Sequence, residues 1–129
     1  MASYLLDTSV LIEWLRNSPK AERLLTTFVD AGDDLVVCCV SLAEVHSGLR
    51  EEDRERCDAL LQVMDYWDVT PDAARLAGDL RYRYARRGVT LSTPDALQAA
   101  LAIVRDGFFV TGNVKDFPMP ELKLLAYKH

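Results

Sequence analysis

Leu35 to Val40 reads Leu-Val-Val-Cys-Cys-Val, six apolar residues with no polar interruption. A strand with one face in water alternates apolar and polar side chains, so an unbroken run predicts a strand covered on both faces. The rest of the chain repeats strand-like and helix-like patterns in turn. Ser3 to Leu6 is a short strand pattern ahead of the helical Val10-Leu11-Ile12-Glu13-Trp14-Leu15. Ser18-Pro19 reads as a helix N-cap followed by proline at the first helical position, and Gly32 closes that helix. Ser41-Leu42-Ala43-Glu44 opens another, expected to reach about Leu49, and a charged segment from Glu51 leads into Leu60, Leu61, Val63 and Met64.

Trp67 to Val69 is a short strand pattern. Thr70-Pro71 caps a long helix with Leu76, Ala77, Leu80 and Tyr84 on one face, ended by Gly88. Thr93-Pro94-Asp95 starts the next helix, whose small residues Ala96, Ala99, Ala100 and Ala102 permit close packing on a sheet, and Asp106-Gly107 ends it. Phe108 to Thr111 is a strand, residues 112–120 form a loop, and Leu122 to Tyr127 is the last strand. Strands separated by helices imply right-handed crossovers. The predicted class is α/β, a three-layer α/β/α sandwich around a mainly parallel sheet.

At 129 residues the chain is expected to form one domain over 1–129. A chain of this size buries about 65% of its unfolded surface, so its core needs no disulfide. Cys38 and Cys39 are adjacent in the apolar run and Cys57 lies in a charged helical pattern, which is neither disulfide nor zinc spacing. That usage suits a reducing, cytoplasmic setting. The first basic residue is Arg16 and no apolar run approaches membrane-spanning length, so neither a signal peptide nor a membrane span is expected.

Acidic residues recur where strand-like runs end or helices begin. Asp7 follows Ser3-Tyr4-Leu5-Leu6 and precedes Thr8-Ser9; Glu44 lies in the helix after Leu35 to Val40; Asp95 opens a helix; Asp116 follows Phe108 to Thr111. Each has an ordinary alternative. Asp7 suits a helix cap, and Glu44 stands three residues after Ser41, the spacing of a capping box. Asp95 at the second helical position after Thr93 would favour the helix dipole, and Asp116 suits a turn. In a parallel sheet, however, strand ends and the helix starts that follow them share one edge, where ligands bind. Carboxylates crowded there repel one another unless some protonate or a cation intervenes. Mg²⁺ and Mn²⁺ take such oxygen ligands together with water and phosphate. The hydroxyls of Thr8, Ser9 and Thr111 and the amide of Asn113 suit the ordering of water or phosphate oxygens.

Other chemistries find less support. The chain has two histidines, His46 and His129, with no paired base, and it lacks a nucleophile elbow, a Walker loop and a dinucleotide fingerprint. Its net charge of −5 does not exclude a phosphate substrate, because four of the five excess charges would belong to the candidate acids. Arg75, Arg81, Arg83, Arg86 and Arg87 concentrate on the long helix, either as a solvated face or as a phosphate track. Tyr82 and Tyr84 are open to base stacking, although Tyr84 follows the apolar stripe. Val10, Leu11, Trp14 and Leu15, with Leu24, Leu25 and Phe28, supply core or, in surplus, a groove for a partner helix or a homodimer face.

Leu5-Leu6-Asp7-Thr8-Ser9, Ser41 to Val45, Asp95-Ala96-Leu97 with Ala99-Ala100, and Val110-Thr111-Gly112-Asn113 with Asp116-Phe117 occur in order along nearly the whole chain. In these blocks it resembles the PIN-domain ribonucleases, more narrowly the VapC toxins of prokaryotic toxin–antitoxin pairs. The resemblance implies a five-stranded parallel sheet and an Mg²⁺- or Mn²⁺-dependent endoribonuclease that hydrolyses RNA by in-line attack of water. It implies that Asp7, Glu44, Asp95 and Asp116 are the catalytic, metal-binding acids, supported by Thr8, Thr111 and Asn113. It further implies a homodimer and a cognate VapB-like antitoxin that obstructs the site. Gly112, where such proteins often carry a basic residue, and Gln98, in an otherwise small and apolar helix start, depart from the pattern.

The alternatives are a non-catalytic PIN-like module that binds RNA or protein, a phosphoryl-accepting receiver domain, and a haloacid dehalogenase-type phosphatase. A receiver gathers two acids before its first helix, whereas Asp7 is alone there; a dehalogenase needs a second aspartate two residues on, where Ser9 stands.

Overall fold

A computed structural model describes residues 1–127. The strands are β1 (Ser3–Leu6), β2 (Asp34–Cys38), β3 (Asp65–Trp67), β4 (Phe108–Thr111) and β5 (Lys123–Ala126). The helices are α1 (Thr8–Leu15), α2 (Pro19–Asp30), α3 (Cys39–Ser47), α4 (Arg54–Gln62), α5 (Pro71–Ala85) and α6 (Thr93–Val104). Single 3-10 turns stand at Glu51–Asp53 and Val114–Asp116.

The sheet order is β3-β2-β1-β4-β5, and every neighbouring pair is parallel. This order separates the fold from receiver domains, whose order is 2-1-3-4-5. Leu5 pairs with Val36 on one side and Phe109 on the other, which places β1 at the centre. Side chains alternate between two cores. Leu5, Val36 and Phe109 face α5 and α6, while Leu6, Val37 and Val110 face α1 and α2. The sheet is thus a middle layer between helices, as the apolar run at residues 35–40 requires.

Several boundaries differ from expectation. β2 stops at Cys38, so Cys39 and Val40 already belong to α3 and Ser41 lies buried inside that helix. β3 lies two residues earlier than the Trp67 to Val69 pattern, and β5 is trimmed to Lys123–Ala126. α6 is capped by Ser92, whose Oγ accepts from the Asp95 amide at 3.2 Å, so Asp95 is the third helical residue. The signal was present as Ser92-Thr93-Pro94-Asp95, a cap residue three before an acid.

Val10, Leu11, Leu15, Leu25 and Phe28 are buried, and Trp14 and Leu24 are half-buried, so core packing uses most of the apolar surplus on α1 and α2. Gln98 is fully buried: its Nε2 donates to the Pro94 carbonyl at 3.5 Å, and its Oε1 has no partner. Among the described residues, no helix is long and apolar enough to cross a membrane.

The end of α6 shows why Asp106 is followed by glycine. Asp106 itself takes the left-handed conformation (φ 54°), and the Gly107 amide reaches back to the Ala102 carbonyl at 2.9 Å. Gly107 is required by space: a Cβ there would stand 2.8 Å from the Trp67 ring and 3.2 Å from the Ser3 carbonyl oxygen. Both neighbours are packed or backbone atoms, so neither yields cheaply. Gly107→Ala is expected to lower stability by about 1–3 kcal/mol, read as a lower urea midpoint at unchanged slope. A midpoint within error of wild type would refute this account of the glycine.

Candidate active site

β1 and β4 are neighbours at the centre of the sheet, and the connections after them leave toward opposite sides. That is a topological switch point, with a crevice outside the carboxyl ends of the strands. Asp7 follows β1 and is 5% exposed; its amide donates to the Val110 carbonyl at 2.9 Å. Thr111 ends β4, fully buried, and its Oγ1 donates to Asp7 Oδ2 at 2.6 Å across the crevice. The Thr8 amide donates to Asp7 Oδ1 at 2.7 Å, and Ser9 Oγ lies 3.5 Å from Oδ2. Asp7 is therefore the N-cap of α1 and the centre of a hydrogen-bonded cluster at once.

Glu44 does not form the capping box that its spacing from Ser41 allows. Cys38 is the N-cap of α3, and Ser41 Oγ instead donates to the Cys38 carbonyl at 3.3 Å. Glu44 Oε1 accepts from Thr8 Oγ1 at 2.7 Å, a contact between residues 36 apart in sequence. Its partner is the neighbour of Asp7, so Glu44 stands beside that residue and not in a capping box.

Asp95 is half-buried at the start of α6 and Asp116 ends the exposed turn after β4. That turn is tied to the crevice: the Asn113 amide donates to Thr111 Oγ1 at 3.0 Å, and the Asp116 amide to the Asn113 carbonyl at 3.0 Å. Asn113 thus contributes its backbone, with its side chain exposed. Ser9 belongs to the same network beyond the expected supporting residues: its Oγ also accepts from the Gly112 amide at 3.3 Å, joining α1 to the loop.

Electrostatically, Asp95 is influenced by the other three acids. Burial pushes the Asp95 carboxyl above its ordinary 3.8, and the charges of Asp7, Asp116 and Glu44 push it further, against the Ser92 hydrogen bond. Burial likewise raises Asp7, with Glu44 adding to it, while the donors on Thr111, Thr8 and Ser9 oppose the rise. Among the described residues no three His, Cys, Asp or Glu side chains stand close enough together to hold a metal ion. The donor set nonetheless fits a hard divalent cation, which takes one or two carboxylates and completes its shell with water and phosphate.

Other expected candidates lie elsewhere. His46 accepts from Arg54 at 3.5 Å and stands 4.0 Å from Asp58, away from the cluster, and His129 lies outside the described residues. The arginines of α5 have local partners: Arg75 pairs with Asp72, Arg83 with Glu121, Arg81 donates to the Leu91 carbonyl, and Arg86 and Arg87 lie over Tyr82 and Tyr84. Tyr84 is core and Tyr82 is exposed.

The PIN domain family matches residues 4–117, a span that holds all four acids. The chain belongs to the PIN domain family. Within that family it is similar to ribonuclease VapC19 of Mycobacterium tuberculosis, 35% identical over 122 residues that make up 92% of this chain and 96% of that protein. It is also similar to ribonuclease VapC10 of the same species, 37% identical over 117 residues, 91% of this chain and 87% of that one. In fold, this PIN domain superposes with a TM-score of 0.89 at 22% identity on a chain of VapBC2 from Rickettsia felis, solved bound to a DNA fragment from their promoter. That match covers 98% of this chain and 99% of the other.

Because the folded-state pKa values of Asp7 and Asp95 are raised, their contribution to stability is full below about 3.8. It is lost as pH rises through the raised values. In EDTA, Asp7→Asn is therefore expected to gain Tm relative to wild type between acidic and neutral pH. Equal pH dependence of the two proteins would refute the burial argument.

Proposed function

We propose that this PIN domain is a metal-dependent endoribonuclease toxin of the VapC type, acting in the cytoplasm and silenced by a VapB-like antitoxin. The observation that carries the reading is the chain of contacts from Thr111 to Asp7 and from Thr8 to Glu44, which sets two carboxylates side by side at the switch point. The charges of Asp7, Glu44 and Asp116 reach Asp95 as well. Four acids that feel one another at a switch point favour an occupant that is positive. The names of the VapC relatives, both ribonucleases, support RNA as substrate.

In this reading Asp7, Glu44, Asp95 and Asp116 hold Mg²⁺ or Mn²⁺. When bound, the cation supplies Lewis acidity and positive charge for in-line attack of water on the phosphodiester. The chain's own residues prepare that event. Thr111 and the Thr8 amide hold both oxygens of Asp7, so the carboxylate does not reorient when substrate arrives. Thr8 Oγ1 holds Glu44 in the same way. Asp95, half in water at the start of α6, is exposed enough to meet the attacking water. Water would add to phosphorus as the bond to the 3′ oxygen breaks. The attacking water loses a proton and the departing oxygen gains one from solvent, so that a 5′ phosphate and a 3′ hydroxyl result.

The partner assignments rest on the relatives and neighbours. The VapBC2 assembly and a toxin–antitoxin complex from Klebsiella pneumoniae share this fold, the second with a TM-score of 0.81. They support engagement of an antitoxin, while the homodimer rests on the family resemblance. The free cysteines Cys38, Cys39 and Cys57 agree with a reducing compartment.

Purified protein is expected to cleave single-stranded RNA with Mg²⁺ or Mn²⁺ and to stop in EDTA. Folded Asp7→Asn and Asp95→Asn proteins should lose about 100-fold or more in kcat/KM. Equal cleavage by Asp95→Asn would sink the assignment. Calorimetry separates the non-catalytic module, for which no specific Mn²⁺ uptake is expected.

A further inference from the structure

RNA phosphates need cations, yet most arginines and lysines here are already engaged by the protein itself. Ion pairs occupy Arg50, Arg54, Arg75, Arg83 and Lys123. Backbone carbonyls hold Arg56 and Arg81, and aromatic rings face Lys20, Arg86, Arg87 and Arg105. Among the described residues, the side chains of Arg16, Arg23 and Lys115 have neither an ion pair, a hydrogen bond nor a ring contact.

One of these three cations shares a cavity with a residue of the acidic cluster. Arg16, exposed at the C-terminal cap of α1, and Glu44, on α3, line the same hollow of about 330 Å³. Its floor is apolar, formed by Ile12, Leu15, Val45 and Leu49. Arg50 and Asp53 also border it, but they are bound to each other at 2.9 Å. The hollow therefore offers apolar lining, one uncommitted guanidinium and Glu44, which Thr8 holds beside Asp7.

We propose that this cavity receives a nucleotide of the RNA substrate adjacent to the cleaved bond, with its base on the apolar floor and its phosphate on Arg16. The inference rests on the endoribonuclease reading of the acidic cluster. Charge sets the position of the anion: Arg16 is the uncommitted cation of the lining, so the phosphate lies at its end and the strand continues from there toward the acidic cluster to which Glu44 belongs. Nucleobases have flat apolar faces that pack on aliphatic side chains, and guanidinium groups meet phosphates bidentately or stack on bases. An apolar peptide side chain would fill the floor but leave Arg16 without a counter-charge. Arg16 is accordingly a positioning residue, separate from the four acids.

The test is fluorescence anisotropy of a labelled short single-stranded RNA, titrated with the full-length Asp95→Asn protein in Mg²⁺ at several salt concentrations. Adding Arg16→Gln is expected to weaken binding about tenfold and to reduce the salt slope by about 0.7, the loss of one single-strand phosphate contact. Arg16→Lys should restore most of the slope. Arg23→Gln, on α2 beside a separate hollow with Thr27 and Tyr127, should leave both quantities unchanged. Unchanged affinity and slope in Arg16→Gln would overturn the proposal and leave the cavity to a protein ligand. Equal losses in Arg16→Gln and Arg23→Gln would overturn it too, since the effect would then be overall charge. Failure of the wild type to cleave RNA with Mg²⁺ or Mn²⁺ would instead remove the endoribonuclease reading, while the binding comparison still judges the cavity.

Discussion

The hydrogen bond from Thr111 to Asp7, 2.6 Å long and fully buried at its donor, joins the ends of the two central strands. A carboxylate as enclosed as Asp7 loses most of its hydration, and burial alone would drive it toward the neutral form. Donors from Thr111 and Thr8, at 2.6 and 2.7 Å, replace part of that hydration, each charge-assisted bond contributing about 1.5–3 kcal/mol, and Ser9 adds a longer contact at 3.5 Å. The same hydroxyl of Thr111 accepts from the Asn113 amide and so sets where the loop carrying Asp116 begins. Thr8, fixed beside Asp7, extends the order to Glu44 on α3. One short contact thereby registers two strands, two helices and a loop.

That contact needs a rigid platform, and the two-sided sheet supplies it. Leu5 and Leu6 enter opposite cores, as do Val36 and Val37, so β1 and β2 cannot slip by a residue without exposing both sets. On α6, Ala96, Ala99, Ala100 and Ala102 are fully buried and let the helix lie close to the sheet. Asp95 consequently stands at the rim of the crevice, half in water, where its charge meets those of the other acids. Repulsion among them is unfavourable in the protein alone. It becomes useful when a cation and a phosphate are to be held together.

The apolar run at residues 35–40 and the alternation around it were enough to place the sheet, its helices and the parallel class. Caps written in side chains were also legible, as at Ser18 and Thr70, whose hydroxyls accept from Ala21 and Ala73. Boundaries failed where no such signal exists. Cys38 caps α3 with no side-chain bond, and Cys39 and Val40 are as apolar as the strand before them, so the turn from β2 into α3 is silent in composition. Gln98 likewise stood out as an anomaly, but that its amide oxygen is buried without a partner depends on packing from several directions.

By itself the sequence determined which residues are acidic, which segments are apolar on one or both sides, and that strand ends and helix starts would share an edge. Those are properties of local order, because side-chain period and backbone preference act over a few neighbours. Only the tertiary structure removed the capping box open to Glu44, since Ser41 entered the helix, and gave it a partner, Thr8, 36 positions away. It alone showed that Asp7 is both cap and centre of the site, and that Arg16, unremarkable in the chain, shares a cavity with Glu44. Contacts of that kind come from how the strands are ordered across the sheet. No stretch of sequence holds both partners.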